Sequence, residues 1–175
     1  NIQALVESGS PRAAPVLQSL IEYLRAAMPR LHAGSATLAA EAALARAYLE
    51  LMHMRMPDRL CYSIEIADDV AGVGFPPMAL LTLIENAIRH GIDPGERGGR
   101  IDLRAQREPG GGRVRVVVAD TGVGMREDAC PGTGLANLRD RLRAFFGADA
   151  ELELHEQPPH GVRAEIVFTP LAAPA

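Results

Sequence analysis

Apolar side chains recur at helical spacing through the first third of the chain. Ser10-Pro11 offers an N-cap and a first-turn proline, and Val16, Leu17, Leu20, Ile21 and Leu24 follow on one side until Pro29. That pattern predicts a helix over residues 11–28. After a short link, Leu38, Ala42, Ala45, Leu49, Met52 and Met56 alternate steps of four and three up to Pro57, the seam of a second helix with a coiled-coil face. Two striped helices must bury their stripes, either against a second copy as a four-helix bundle or against the rest of their own chain.

At Leu60 the period changes. Leu60, Tyr62, Ile64 and Ile66 alternate with Cys61, Ser63 and Glu65, which predicts a half-buried strand. Pro76-Pro77 opens a helix expected to run through His90, to end at Gly91 and to bury Leu80, Leu83, Ile84, Ala87 and Ile88. Strands over about residues 100–107 and 113–119 follow, joined into a hairpin by Pro109-Gly110-Gly111-Gly112. A glycine-bearing loop between Asp120 and Gly134 leads into a helix with Leu135, Leu138, Leu142 and Phe145 on one face, stopped at Gly147. Strands over about residues 150–155 and 162–168 precede a Pro/Ala-rich tail. Hairpins instead of repeated βαβ units predict an α+β fold: a two-layer α/β sandwich, its mixed sheet covered by helices on one face, with an N-terminal helical hairpin.

At 175 residues the chain suits one well-buried domain plus a helical appendage, with the division expected between residues 1–57 and 58–171. Apolar residues make up 47% of it, yet no apolar run approaches the roughly 18 residues of a membrane span, so any membrane anchor is expected outside this sequence. Asn1-Ile2-Gln3-Ala4 carries none of the marks of a targeting segment and reads as a truncation point. A net charge of -4 and the lack of a basic stripe give nucleic acid nothing to recognise, so no nucleic-acid partner is expected. Cys61 and Cys130 lack CxxC spacing and a nearby His pair, which argues against structural zinc.

Three groups of residues carry candidate chemistry. Thr82, Glu85, Asn86 and Arg89 fall at i, i+3, i+4 and i+7 and form one polar stripe on an apolar helix, with His90 at its border; a solvated helix face has the same pattern. Asp120-Thr121-Gly122-Val123-Gly124-Met125 leaves a strand with two glycines two apart. Its carboxylate can accept from an exocyclic amine while the glycines allow close backbone approach; a plain tight turn reads the same way. Gly132-Thr133-Gly134-Leu135 opens a helix whose free N–H groups suit a phosphate, without the GK[ST] of a P-loop or the spacing of a Rossmann site.

In this order the three groups match a family. LTLIENAIRHG (Leu81–Gly91), VVVADTGVGM (Val116–Met125), GTGLANLRDRL (Gly132–Leu142) and the late Gly161 before a strand resemble the N box and the two glycine boxes of the GHKL ATP-binding superfamily, a Bergerat-type fold. The form ENAIRHG, Phe146-Gly147 after the last helix and the upstream AYLELMHMRMPDRL look like LytS/YehU-type sensor histidine kinases. That resemblance implies ATP and Mg2+ as cofactors and residues 58–171 as the ATP-binding catalytic domain, with residues 1–57 as the end of a dimerisation segment.

By the same resemblance Asn86 would bind Mg2+, with Glu85 beside it orienting bound water or a partner group or merely solvating the helix. Arg89 and His90 would lie near the phosphates, Asp120 would take the adenine amine, and Gly122, Gly124 and Met125 would shape the pocket below. Gly132, Thr133, Gly134 and Leu135 would close over the triphosphate behind a lid of about residues 125–131. The implied activity is transfer of the γ-phosphoryl to a histidine and thence to a response regulator receiver domain. The full-length protein would be a homodimer, and this region the cytoplasmic portion of a membrane-anchored sensor.

The chain departs from the pattern in one respect: the NPHFLFN-like stretch holding the acceptor histidine is absent, so no self-phosphorylation is expected and His53, in the helical seam, is only a weak substitute. In the hydrolytic relatives a glutamate one turn before the Mg2+-binding asparagine activates water; Thr82 stands there and cannot serve as a carboxylate base. An anti-sigma-type serine kinase and a non-catalytic nucleotide-binding or dimerisation module are the remaining readings.

Overall fold

The computed structural model describes residues 7–28, 36–125 and 133–171. Helix α1 (Ala13–Ala27) packs on α2 (Leu38–Arg55), which is followed by strand β2 (Leu60–Ile66) and a short helix α3 (Asp68–Ala71). Between α1 and α2 a two-residue strand β1 (Ala36–Thr37) pairs antiparallel with β3 (Gly74–Phe75). Then come α4 (Ala79–Asn86), the hairpin β4 (Gly99–Arg107) and β5 (Val114–Asp120), α5 (Thr133–Phe146), β6 (Glu151–Glu156) and β7 (Val162–Phe168). The main sheet runs β2-β4-β5-β7-β6, with β2 parallel to β4 and every other pair antiparallel, the mixed α+β sandwich that the sequence predicts. Strands β2 and β6 are its edges.

Strand parity decides what each face of the sheet meets. Ile101, Leu103, Val114, Val116, Val118, Ile166 and Phe168 point into the helical layer and are almost fully buried. Arg104, Arg115, Arg163 and Glu165 fall on the alternate positions. The far face is therefore charged, with Glu165 held between Arg115 and Arg163, and Arg115 also meeting Glu108. A shallow depression of about 390 Å³ there is lined by these paired groups and is an ion-pair network instead of a ligand pocket.

The seam of α2 settles between its two expected partners. Leu38, Ala45 and Leu49 are fully buried, in one cluster with Leu80 and Ile84 of α4, the sheet and α5. Each such leucine contributes about 2 kcal/mol by leaving water, so α2 belongs to the core of its own chain. In α1 Val16 is buried, but Leu17, Ile21 and Leu24 are exposed together with Met28 at 65%, so of the two expected partners its own chain covers only part of the stripe. One face of α1 cannot both clasp α2 and cover the four residues on its back, so that stripe is left open.

Three smaller departures have local causes. Ser10 and Pro11 lie one turn before α1, whose N-cap position falls to Arg12. The helix opened by Pro76-Pro77 starts only at Ala79, after Met78 has turned into the left-handed region at φ +60°. It does not end at Gly91: it widens into a π turn, Ala87–Ile92, closed by the Asp93 amide donating to the Ile88 carbonyl at 2.8 Å. Gly147, at φ +81°, ends α5 as expected of a left-handed C-cap. No helix among the described residues is long and apolar enough to cross a membrane.

Candidate functional site

Asp120 occupies the last position of the buried row on β5, opposite Ile101, where the next apolar side chain would be expected. It is 3% exposed. Its Oδ1 accepts from the Gly122 amide at 2.8 Å, the short-range bond of an aspartate turn. Burial pushes the carboxyl above its usual range, and hydrogen bonds from the Gly122 and Val162 amides pull it back only in part.

Around that carboxylate the backbone closes to within contact. A Cβ on Gly91 would lie 2.6 Å from Asp120 Oδ1, and one on Gly122 would lie 2.2 Å from the Gly91 carbonyl carbon. The Val123 amide donates to the Gly91 carbonyl at 3.0 Å. Gly91 is thus a contact residue within the π turn, and its missing side chain is what lets the helix touch the strand end. The same turn carries Arg89 and His90, both exposed, directly after the half-buried Asn86. Such π turns are frequent where a helix must present several groups to a ligand.

On the other flank α5 approaches the same helix. Gly134, in its first turn, lies 4.0 Å from the Thr82 methyl group when given a Cβ. Arg141 reaches across from α5, donating to the Thr82 hydroxyl at 3.1 Å and to the Pro77 carbonyl at 3.0 Å. The Thr82 hydroxyl in turn donates to the Met78 carbonyl at 2.9 Å. Thr133 and Gly134 are exposed and Leu135 is half-buried against the core.

The three candidate groups therefore converge on one helix, α4 with its π turn. Asp120, Gly122 and Gly124 adjoin its far end, with Gly124 at φ +85° facing Gly161, while Thr133 and Gly134 lie near its middle. Met125 is 45% exposed at the border of this region, and Gly132, like most of the expected lid, lies outside the described residues. The polar stripe itself divides. Thr82 is committed to α5, whereas Glu85 lies beside the hairpin: its charge, after burial, helps push the Tyr48 phenol up to about 12 and raises Tyr23 as well. Among the described residues the Asn86 side chain makes no hydrogen bond. His53 is taken, its Nδ1 bonded to the Leu60 carbonyl at 2.6 Å.

Sequence reading missed the braces of the site. The imidazole of His160 donates from Nδ1 to the Gly122 carbonyl at 2.9 Å, and Gln157 Nε2 donates to the Asp120 carbonyl at 3.4 Å. Gly161 packs against the same carbonyl, where a Cβ would sit at 2.0 Å. The glycine before β7 was the visible signal; its neighbours Gln157 and His160 gave none. Arg141 was equally silent, a polar position on an amphipathic helix.

A mixed sheet roofed on one side by helices is a fold shared with solved histidine-kinase structures. The histidine kinase domain of a blue-light activated kinase from Erythrobacter litoralis superposes with a TM-score of 0.57 at 20% identity, covering 96% of this chain and 81% of that one. The catalytic domain of the histidine kinase ThkA gives 0.61 at 18% identity, covering 77% and 93%. Residues 75–173 match the family described as histidine kinase-, DNA gyrase B-, and HSP90-like ATPase, and residues 1–60 match the histidine kinase family. The chain belongs to the histidine kinase-, DNA gyrase B- and HSP90-like ATPase family. It is 32% identical to the sensor histidine kinase/phosphatase LytS of Staphylococcus aureus over 165 aligned residues, covering 87% of this chain and 28% of that protein. It thus spans little more than a quarter of the length of the curated relatives it matches.

Proposed function

We propose that this chain is the ATP-binding catalytic region of a two-component sensor histidine kinase, passing the γ-phosphoryl of Mg·ATP to a histidine outside this sequence and thence to a response regulator. The observation that carries the reading is the contact between Asp120 and Gly91: it sets a buried carboxylate, suited to an exocyclic amine, at the end of the helix bearing Asn86. Family membership supports the nucleotide, and the residues present suit it. Asp120, which accepts from the Gly122 and Val162 amides, has lone pairs left to accept from the adenine amine. Gly122, Gly124 and Met125 lie beneath the base. Asn86 would offer a hard carbonyl oxygen to Mg2+, Arg89 and His90 would donate toward the phosphates, and the first turn of α5, from Thr133, would turn its free amide N–H groups the same way. Mg2+, when bound, offsets charge on the phosphate oxygens.

Transfer fits this chain better than hydrolysis. Thr82 stands where a hydrolytic enzyme needs a carboxylate base, and its hydroxyl is already bonded on both sides by Met78 and Arg141. To Glu85, next to Asn86 in the chain, we assign the orienting of an incoming group. The open stripe Leu17, Ile21, Leu24 and Met28 on α1 is the surface we assign to homodimer formation in the full-length protein, and this region is, on our reading, the cytoplasmic portion of a membrane-anchored sensor. Titration calorimetry with a non-hydrolysable ATP analogue and Mg2+ tests the reading: the chain gives saturable heat, and Asn86→Ala loses most of it with the fold intact by circular dichroism. No heat from the unaltered chain overturns it.

A further inference from the structure

Among the described residues one carboxylate is completely buried, and it takes no part in the site described above. Glu41, on α2, is 0% exposed. Its Oε1 accepts from the Met78 amide at 2.9 Å and its Oε2 from the Leu80 amide at 3.3 Å. Those are amides at the start of α4, where a helix has no carbonyl partners of its own and where negative charge is favoured. They flank Met78 at its left-handed turn, the only non-glycine residue with positive φ among the described residues.

The other end of the same helix is held in the opposite sense. Arg59, in the turn after α2, donates from Nη2 to the carbonyls of Ile92, Asp93 and Gly95, at 3.3, 3.2 and 2.6 Å. Arg55, the last residue of α2, pairs with the Asp93 carboxylate at 3.2 Å. Cations suit a helix C-terminus as carboxylates suit its start. The backbone of Arg59 is itself fixed: its carbonyl accepts from the Gly99 amide at 2.8 Å, and a Cβ on Gly98 would lie 2.0 Å from that carbonyl oxygen. Asn86, Arg89 and His90 lie between the two anchors.

From this we infer that Glu41 and Arg59 are positioning residues which clamp the α4 helix and its π turn at both ends, so that α2 sets where Asn86 stands relative to Asp120. The inference rests on the nucleotide reading given above. An axial slip of the helix must break the amide bonds to Glu41 or the carbonyl bonds to Arg59. Asp120, by contrast, is fixed by the sheet and by the Gln157–Gly161 turn. Displacement of α2 therefore acts first on Asn86 and the metal it would hold, and reaches Asp120 only through the contact at Gly91. The hairpin is coupled to the same place, because Tyr23 and Ala27 of α1 pack with Leu44 of α2 against Leu81 of α4.

The test compares Glu41→Gln and Arg59→Lys with the unaltered 175-residue chain. Affinity for a non-hydrolysable ATP analogue is measured twice, with Mg2+ and with EDTA. Glutamine keeps the shape but replaces one acceptor oxygen by a donor, and lysine, one bond shorter, holds its ammonium short of the place where Arg59 Nη2 meets the three carbonyls. Both variants keep the affinity seen in EDTA and lose roughly five- to tenfold of the gain that Mg2+ brings, the lower part of the range for coupling between sites. In the nucleotide-free protein, Glu41→Gln also speeds amide hydrogen exchange at Met78 and Leu80 while the amides of β5 keep their rates. An unchanged Mg2+ gain, or equal losses with and without Mg2+, overturns the inference. If Glu41→Gln does not fold, Arg59→Lys decides it on the same pair of affinities. Failure of the unaltered chain to bind the analogue counts instead against the nucleotide reading, and the exchange rates then test the clamp alone.

Discussion

Gly122 and Gly134 stand at opposite ends of the proposed nucleotide cleft and illustrate two uses of one residue type. At Gly122 a methyl group would overlap the Gly91 backbone at 2.2 Å, and at the neighbouring Gly161 it would overlap the Asp120 carbonyl at 2.0 Å. At Gly134 it would meet, among the described residues, nothing closer than the Thr82 methyl at 4.0 Å. The base end is thus locked by backbone contacts that exist before any ligand arrives, so recognition there costs little ordering on binding. The phosphate end offers exposed amides on an uncrowded helix start, where the ligand has to complete the site. Under the proposed function, preorganisation would serve selection of the nucleotide and be withheld from the part that releases a phosphoryl group.

The sharpest way to break this contrast is to fill the crowded end. Gly122→Ala forces one backbone segment off another, and Gly161→Ala adds the strain of φ +125°; each is expected to cost about 3 kcal/mol or more, read as a fall in thermal midpoint. A midpoint within a degree or two of the unaltered protein means that the contact is not tight. A smaller effect is expected from Asp120→Asn, which leaves an acceptor for Gly122 but presents a donor to the adenine amine. Analogue affinity should fall about 10- to 100-fold, the worth of a hydrogen bond to a charged group.

That variant also carries a pH signature. The folded-state pKa of Asp120 is raised, so the native protein binds this proton more readily than the unfolded chain, and the ionised carboxylate costs stability above the folded pKa. The stability of Asp120→Asn relative to the unaltered chain should therefore rise as pH increases from the ordinary aspartate value of 3.8 through the raised folded value, and then level off. Denaturant melts across that window check the sign; a relative stability that falls with pH contradicts the burial argument. The least effect belongs to Gly134→Ala. With room for the methyl and a helical backbone, it should be neutral or stabilising by up to about 1 kcal/mol, and a loss as large as that of Gly122→Ala would erase the distinction between the two ends.

Much of the fold was legible because it follows from periodicity. The alternation in Leu60–Ile66 and Val114–Val118 fixes which side chains face the helices, and the order of the asparagine helix, the aspartate turn and the glycine-led helix points to the site. What stayed hidden depends on which segments meet. Parallel pairing of β2 with β4 leaves no local mark. Gly91 carries the same letter whether it ends a helix or touches a carboxylate. Glu41 reads as a solvated position on α2 until α4 places two bare amides against it. The exposed stripe on α1 was foreseeable as apolar but not as uncovered, since spacing measures a face without naming its occupant.

The edge strand β6 reads Glu-Leu-Glu-Leu-His-Glu, with its glutamates exposed. Two such borders brought side by side would set Glu151, Glu153 and Glu156 near like charges, which blunts the tendency of unpaired strand edges to recruit a neighbour. Continuous sheet growth is thereby discouraged, which leaves the helical stripe of α1 as the surface for the proposed homodimer.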